Sequence, residues 1–413
     1  MDSEAPMREP ERVAVLRLPE AIARAVARSP VLAAASYAVR SRQGDALQAG
    51  LPPNPEVGME VENFAGSGPV SGFRASETTL LLSQRIETAG KRARRRRAAE
   101  LDVGVAAWDY EAVRIDLVAS VTARFFQVLA AQERVEVTEE IASIARRAAA
   151  AVEQLVRAGA TPPVELTRAE LEAAAVEVEV ATARRALDAA RAELAAMWGA
   201  SRPDFDRVEG SLEATVPPPA PEMLRSRLDR NPELAGWDAE VRRLEAVVEL
   251  EDARRVPDVT VGAGLRYLAD PGDPALVASV ALPIPVFDRN QGRRAAARAD
   301  LRRARHERRA AELRLTARLE RFWQEVAARH DELRKLDGAL LPQAEEAYRG
   351  VQEGFARGLF RNVDVLVAGR RLAELRRQRL DAVAAYREAL AELERLTATP
   401  LSPETGAAGG TTP

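Results

Sequence analysis

An internal duplication restricts the fold of this chain more than any other feature. The same landmarks occur in the same order in both halves, 202 residues apart: Pro30 and Pro232, Pro55 and Pro257, Gly90 and Gly292. Further on, "VRAGATPPVEL" matches "FARGLFRNVDVL", so that Gly159 faces Gly358. A recurring order of such residues is typical of a repeated architecture. We expect repeats over residues 1–215 and 223–400, a proline-rich linker at 216–222 and a disordered tail at 401–413.

Each repeat is expected to contain a first helix, a very long helix and a shorter return helix. Between Gly90 and Gly159 the chain has no proline and only one glycine. A helix of that length measures roughly 100 Å. The first helix and the return helix together are about as long, so two short helices end to end would match one long helix. The predicted helices are 19–48, 91–158 and 163–198 in the first repeat, and 222–253, 292–357 and 363–397 in the second.

Two strand-like segments stand between the first helix and the long helix of each repeat. Val57, Met59 and Val61 alternate with glutamate and glycine, which indicates a strand with one apolar face. Segments of about ten residues fit tilted strands that cross a bilayer, but also an ordinary exposed hairpin. Because four strands cannot close a barrel and lipid does not tolerate an open edge, a membrane-spanning form is predicted to be an oligomer, most simply a trimer. The predicted strands are 55–64, 77–86, 257–268 and 275–287.

The composition argues against several classes of protein. The 413 residues carry 60 basic and 63 acidic side chains, for a net charge of −3, whereas a nucleic-acid-binding protein usually shows a basic excess. No run of apolar residues is long enough for a transmembrane helix. The chain has no cysteine, and its two histidines, His306 and His330, lie in charged helical sequence. We therefore expect no enzyme, no cofactor and no metal site, since neither catalytic nor metal-ligand patterns appear.

A basic cluster opens the first long helix. Positive charges at a helix N-terminus oppose the helix dipole, so helix stability does not account for them. A nucleic-acid arm would predict strongly salt-dependent binding to DNA or RNA, although the chain as a whole lacks a basic excess. The cluster consists of Lys91, Arg92, Arg94, Arg95, Arg96 and Arg97, and Arg293 and Arg294 stand at the matching place in the second repeat.

Six segments distributed over both halves carry a resemblance to a known family: "LRLPEAIARAVARSPVL", "LPPNPEV", "GKRARRRRAAE", "VRAG", "LPIPVFDRNQGRR" and "ARGLFRNVDVL". From residue 13 to about residue 400 the chain resembles the TolC-like outer-membrane efflux proteins, and among them the heavy-metal cation branch, the CzcC-like proteins. The resemblance implies a mainly α fold with a small β part: duplicated long-helix hairpins plus four β-strands per chain. These would form a trimeric 12-stranded outer-membrane β-barrel, continued by a periplasmic α-helical barrel.

The resemblance also implies a function and its partners. The chain would be a homotrimer that serves as the passive exit duct of a tripartite efflux system and catalyses no reaction. Its partners would be a periplasmic adaptor (membrane fusion protein), an inner-membrane pump of the resistance-nodulation-division type, and outer-membrane lipid, with no nucleic acid. Heavy-metal cations are the expected substrates. A duct for drugs or organic solvents stays open, as does a non-membrane coiled-coil scaffold, although a scaffold would not explain the strand pairs.

Three sets of functional residues follow from the resemblance. Asp364 corresponds to an aspartate that faces the pore at its constriction, although Val367, one turn later, replaces a second acid; a surface salt bridge of Asp364 with Arg361 or Arg370 is the alternative. The basic cluster, with Arg293 and Arg294, would form a collar at the membrane interface, where long cationic side chains reach lipid headgroups. Gly159 and Gly358 are expected to end their helices in a left-handed cap conformation. The first tip (157–166) and the second tip (356–366) would contact the adaptor through Gly159, Thr161, Val164, Glu165, Leu166, Gly358, Asn362, Val363 and Leu366.

The resemblance implies export to the outer membrane, with the protein extending into the periplasm. Residues 1–20 show neither the apolar core of a secretory signal nor an acylatable cysteine. We therefore expect that the start codon is misplaced or that the N-terminus has been trimmed.

Overall fold

A computed structural model describes residues 13–212 and 216–401, and it shows a mainly helical chain with a small β part. The described residues form two compact units. Unit 1 lies within Met1–Ala35, Glu111–Pro232 and Glu312–Pro413, and unit 2 is Ser36–Tyr110 with Glu233–Ala311. Each unit therefore takes segments from both sequence repeats. The predicted tail at 401–413 lies outside the described residues apart from Leu401, as do the first twelve residues.

The helices differ greatly in length, and the longest has 67 residues. In the described part of the chain no helix has both the length and the apolar character needed to cross a bilayer. The helices are α1 (Leu18–Arg28), α2 (Pro30–Ala49), α3 (Lys91–Arg157), α4 (Pro163–Ala196), α5 (Pro221–Arg225), α6 (Pro232–Ala253), α7 (Gln291–Lys335), α8 (Leu341–Ala356) and α9 (Asn362–Thr397).

Both predicted first helices are broken, and one break in each repeat has the same cause. The segment 19–48 is divided at Ser29 into α1 and α2. In the segment 222–253, α5 already ends at Arg225, and a short 3-10 turn (Leu228–Arg230) leads to a further break at Asn231 before α6. The break that the repeats share precedes a proline, Pro30 or Pro232, and the proline ring forces the preceding residue out of the helical conformation. Ser29 and Asn231 are accordingly extended.

The second long helix, predicted over 292–357, is interrupted by a π-helical turn, Leu336–Leu340. Pro342 lies in the first turn of α8, where its missing N–H group does least harm. The first long helix, by contrast, is continuous as α3.

The described residues contain six strands, two more than predicted. The additional ones, β1 and β4, pair in parallel within unit 1 and bury Leu16, Phe205 and Val208. Each has only five residues and its partner is far away in sequence, so no local pattern indicated them. The strands are β1 (Val13–Arg17), β2 (Glu56–Glu62), β3 (Glu77–Ile86), β4 (Phe205–Glu209), β5 (Val259–Leu268) and β6 (Asp273–Ala281).

In unit 2 the four other strands form one antiparallel sheet in the order β2-β3-β5-β6, so β2 and β6 are its edges. One face is apolar and exposed: Met59 pairs with Leu80, Leu80 with Leu265, and Leu265 with Leu276. The opposite face is polar, and there Arg266 hydrogen-bonds Thr79 and pairs with Glu77 and Glu62.

The fourth strand ends earlier than predicted. Its expected range was 275–287, but β6 stops at Ala281. Pro283 and Pro285 follow within four residues, and neither can donate a hydrogen bond to a neighbouring strand.

Candidate functional site

In unit 2 the basic cluster lies where strand β3 passes into helix α3, and Lys91 is its most buried member. Lys91 is only 7% exposed, and its Nζ lies 2.5 Å from Oδ1 of Asp258, the residue before β5. The same carboxylate oxygen accepts the backbone N–H of Thr88 at 3.0 Å, while the Thr88 hydroxyl donates to the carbonyl of Pro257 at 2.6 Å. Lys91 therefore fastens the start of α3 to the start of a strand from the other repeat.

Arg95 fixes the turn that connects α2 to β2. Its guanidinium donates to the carbonyls of Ala49 at 2.8 Å and of Leu51 at 3.0 Å, and it pairs with Glu87. The hydrogen bond with Glu87 raises the pKa of Arg95 above its ordinary value, against the opposing effect of burial. Arg95 is thus a structural clamp between the turn and the end of β3.

The other cations of the cluster are more accessible. Arg94 donates to the carbonyl of Ala89, Arg96 pairs with Glu100 one turn along the helix, and Arg97 lies 3.9 Å from Glu249. Arg92, Arg96 and Arg97 are exposed. The structure therefore separates the cluster into residues that hold unit 2 together and residues that project into the surroundings.

At the matching position in the second repeat, the start of α7, arginines pair with α6 instead of with the residue before β5. Arg293 is exposed, whereas Nε of Arg294 lies 2.5 Å from Asp252, which also accepts from Arg298. The hydrogen bond from Arg294 lowers the pKa of Asp252 below its ordinary value, although desolvation opposes the shift.

In unit 1 the first tip closes α3 with a Schellman motif. Gly159 has φ +70°, its N–H donates to Val156, and the N–H of Ala160 donates to Leu155. Pro162 is the N-cap of α4 and Pro163 its first residue. Val164 is exposed, while Thr161, Glu165 and Leu166 are partly buried. Glycine is needed at Gly159 because a side chain strains this left-handed conformation.

The second tip has the same geometry. Gly358 has φ +77°, its N–H donates to Phe355, and the N–H of Leu359 donates to Gly354. Val363 is exposed and Leu366 partly buried. Asn362 is the first residue of α9, but its side chain lies outside the described residues. Both glycine caps were predicted from the sequence, and both are confirmed.

Asp364 lies in the first turn of α9 and caps it. Its Oδ2 accepts the backbone N–H of Arg361 at 2.8 Å and lies 3.9 Å from the Arg361 guanidinium. Arg370, the other suggested partner, pairs instead with Glu172 of α4. Asp364 keeps part of its carboxylate accessible, so capping and an electrostatic role are compatible.

Next to Asp364, α8, α9 and the link between them line an open surface pocket of about 600 Å³. Phe360 forms one wall and packs on Gly354: a Cβ placed on Gly354 would lie 2.6 Å from Cε2 of the ring. The sequence motifs identified neither Phe360 nor Arg371. Phe360 follows the capping residue Gly358 by two positions, and an aromatic residue at that place indicates packing against the last turn of the helix. The pocket is lined by Ala344, Ala347, Val351, Phe360, Asp364, Val367, Ala368 and Arg371.

Within residues 13–212 and 216–401 no group of three or more His, Asp or Glu side chains is arranged to hold a metal ion. The predicted site residues described above serve as helix caps, ion-pair partners and exposed apolar side chains.

The chain belongs to the outer membrane efflux protein family, whose model matches residues 21–200 and 223–399.

Relatives and solved structures extend the match over nearly the whole chain. The chain is 35% identical, over 94% of its length and 91% of the relative, to the cobalt-zinc-cadmium resistance protein CzcC of Cupriavidus metallidurans. It is 29% identical, over 66% of its length and 64% of the relative, to the nickel and cobalt resistance protein CnrC of the same organism. The outer membrane protein VceC of Vibrio cholerae has the same fold, with a TM-score of 0.75 at 20% identity over 93% of this chain and 97% of VceC. The predicted family is confirmed, and so is the mainly α fold class with a small β part.

Proposed function

We propose that the protein is the outer-membrane exit duct of a tripartite efflux system and that it conducts heavy-metal cations passively to the outside. The observation that carries this proposal is the 35% identity to a cobalt-zinc-cadmium resistance protein over 94% of the chain. The fold supports a duct rather than an enzyme, because the site residues serve capping, pairing and packing.

The sheet of unit 2 supports a membrane location and a trimer. Its apolar face exposes Met59, Leu80, Leu265 and Leu276, and its other face is polar. A strand with lipid on one side and water on the other needs this alternation. In a single copy the edge strands β2 and β6 would leave backbone N–H and C=O groups unpaired in lipid. In a closed ring of three copies, with twelve strands, each edge strand would pair with an edge strand of the neighbouring copy.

Both tips are proposed to contact the hairpins of a periplasmic adaptor, which in turn binds an inner-membrane pump of the resistance-nodulation-division type. Exposed apolar side chains support this role, namely Val164 at the first tip and Leu359 and Val363 at the second. Aliphatic side chains left in water at the end of a helical hairpin are suited to helix–helix docking.

Asp364 is proposed to form a ring of three carboxylates at the constriction of the pore. Such a ring attracts cations and raises the barrier to anions.

The exposed cations Arg92, Arg96, Arg97 and Arg293 are proposed to reach lipid headgroups as the membrane-interface collar. The remaining four members of the collar each contact a group within unit 2, so their proposed contribution is chiefly to hold the starts of α3 and α7 in place. They are Lys91, Arg94, Arg95 and Arg294.

Deletion and complementation test the proposal. Removal of the gene should lower the concentrations of cobalt, zinc and cadmium salts that stop growth, and the full native gene product should restore tolerance. An uncharged organic antibiotic serves as the control and should inhibit both strains equally. If the deletion sensitised cells to organic compounds and not to metal salts, the substrate assignment would be wrong and a drug duct would replace it.

A further inference from the structure

Six residues that follow β6 form an exposed apolar segment, which we call the apolar junction (residues 282–287). Ile284 is 80% exposed and Phe287 is 89% exposed, and Leu282 and Val286 are exposed as well. Two hydrogen bonds constrain its backbone. The N–H of Val286 donates to the carbonyl of Ile284 at 2.9 Å, and Gln291 donates to the carbonyl of Phe287 at 3.2 Å.

The first repeat shows that such exposure is not required where a strand meets a long helix. The corresponding link between β3 and α3 contains Glu87 and Thr88, which are partly buried and bonded to Arg95 and Asp258. The apolar junction has no comparable cover within unit 2. Four exposed apolar side chains in six residues are costly in water, because each leaves apolar surface hydrated.

Chain topology places a matching apolar surface at the other edge of the sheet. The apolar junction leaves β6 at the end of the sheet where α3 and α7 begin. The end of α2 enters β2 at that same end, and it exposes Leu47 at 73% and Leu51 at 47%. Arg95 holds this turn through the carbonyls of Ala49 and Leu51, so it offers a fixed surface.

We propose that the apolar junction of one copy packs against Leu47 and Leu51 of the next copy in the ring. The proposal rests on the proposed trimer, in which β6 of one copy lies beside β2 of its neighbour. Those two strands run antiparallel when the ring closes, because the strand directions alternate through the sheet of four. The end of β6 then meets the start of the neighbour's β2.

Protein is a better cover than lipid for this segment. Its backbone leaves the strand ladder at Ala281, and Pro283 and Pro285 prevent regular pairing. Irregular backbone is tolerated at membrane depth only where protein or water covers it. A neighbouring copy buries the apolar side chains and excludes lipid from the irregular backbone.

Cysteine cross-linking tests the contact cleanly, because the chain contains no cysteine. The paired variant Leu51→Cys with Ile284→Cys, and a second pair Leu47→Cys with Phe287→Cys, are treated with a short bismaleimide in the outer membrane. Within one copy the two edges are three strand spacings apart, roughly 14 Å, so a link between neighbours is favoured. Denaturing electrophoresis should show covalent dimers and trimers for at least one pair. Single variants and the pair Leu51→Cys with Leu276→Cys, which places the second cysteine on the exposed apolar face of β6, should stay monomeric.

Co-expression of differently tagged Leu51→Cys and Ile284→Cys chains should yield cross-linked products that carry both tags. The oligomer mass in mild detergent and the metal tolerance of the cells are measured on the same variants. Trimers that restore tolerance but cross-link in neither pair would overturn the contact and leave the proposed function intact. Chains that remain monomeric and restore no tolerance would overturn both.

Discussion

The ammonium group of Lys91 lies 2.5 Å from Oδ1 of Asp258, so the first residue of α3 is joined to the residue that precedes β5. The two residues belong to different repeats and are 167 positions apart. Lys91 is the more buried of the two, and Asp258 keeps a second hydrogen bond from the Thr88 amide. Loss of Asp258 would leave Lys91 without its charge partner, whereas loss of Lys91 would leave Asp258 with the hydrogen bond from Thr88.

Removal of Asp258 should cost more stability than removal of Lys91. Asp258→Ala leaves a buried ammonium group without its carboxylate and is expected to cost about 3 kcal/mol. Lys91→Met keeps the apolar stem and leaves Asp258 bonded to Thr88, for a cost of about 1 kcal/mol. Denaturant unfolding of both single variants and the double variant gives the coupling energy, and strictly additive costs would contradict the pairing. Glu100→Ala, which breaks the exposed pair with Arg96, is the control and should leave the free energy of unfolding nearly unchanged.

Two glycines of α8 should respond in opposite directions to the same substitution. Gly354→Ala places a methyl group against the Phe360 ring and should lower stability by about 1–3 kcal/mol through overpacking. Gly350→Ala meets no atom within 4 Å and should raise stability by up to about 1 kcal/mol, because alanine favours a helix. Thermal unfolding followed by circular dichroism measures both. An equal gain in stability from both substitutions would mean that Phe360 does not pack on Gly354.

Tyr386 should make the protein sensitive to alkaline pH. The side chain is 1% exposed, and its hydroxyl donates to the carbonyl of Val216 at 2.6 Å and accepts the Val216 N–H at 3.1 Å. Burial raises the pKa of Tyr386 above its ordinary value, and the bond to Val216 offsets only part of this effect. Because the raised pKa favours the neutral phenol in the fold, its contribution is complete below the unfolded pKa of about 10 and is lost as pH rises through the folded pKa.

Tyr386→Phe isolates this effect. The variant should lose about 1–2 kcal/mol at neutral pH, since the Val216 backbone groups lose their partner. It should also show a smaller fall in stability between neutral and strongly alkaline pH than the parent protein. Parallel curves for the two proteins would rule out Tyr386 as the titrating group.

Asp364→Asn should separate capping from charge. An asparagine oxygen can still accept the Arg361 N–H, so the fold and the oligomer should be retained. If the carboxylates form the proposed ring, the ratio of cation to anion permeability in a planar bilayer should fall. Glu165→Gln removes one charge from the first tip and is the control, which should leave the ratio unchanged. An unchanged ratio in Asp364→Asn would place the constriction elsewhere.

Local sequence signals predicted much of the fold because they act over a few residues. A proline-free, nearly glycine-free run predicted α3, and Gly159 and Gly358 predicted the left-handed caps that the structure has. The breaks at Ser29 and Asn231 were equally local, since each residue precedes a proline. The residues on both sides of each proline are mostly good helix formers, and this composition predicts one unbroken helix.

The rest depends on partners that are distant in sequence. Nothing near Lys91 indicates that Asp258 neutralises it, and nothing near Val13 indicates that its short strand pairs with one beginning at Phe205. The basic cluster illustrates the difficulty. Its six cations within seven positions look alike in sequence, yet some are buried and hold neighbouring segments while others are exposed. Only the three-dimensional contacts distinguish Arg95 from Arg92.

The π-helical turn Leu336–Leu340 bears on how the two halves diverged. From Phe322 to Gly358 the second half is two residues longer than the matching interval from Phe125 to Gly159. An extra residue in a regular helix rotates everything beyond it by about 100°, whereas a π turn accommodates a residue locally. The turn at Leu336–Leu340 therefore absorbs one of the two extra residues and reduces the rotation that the longer interval would otherwise impose on α8.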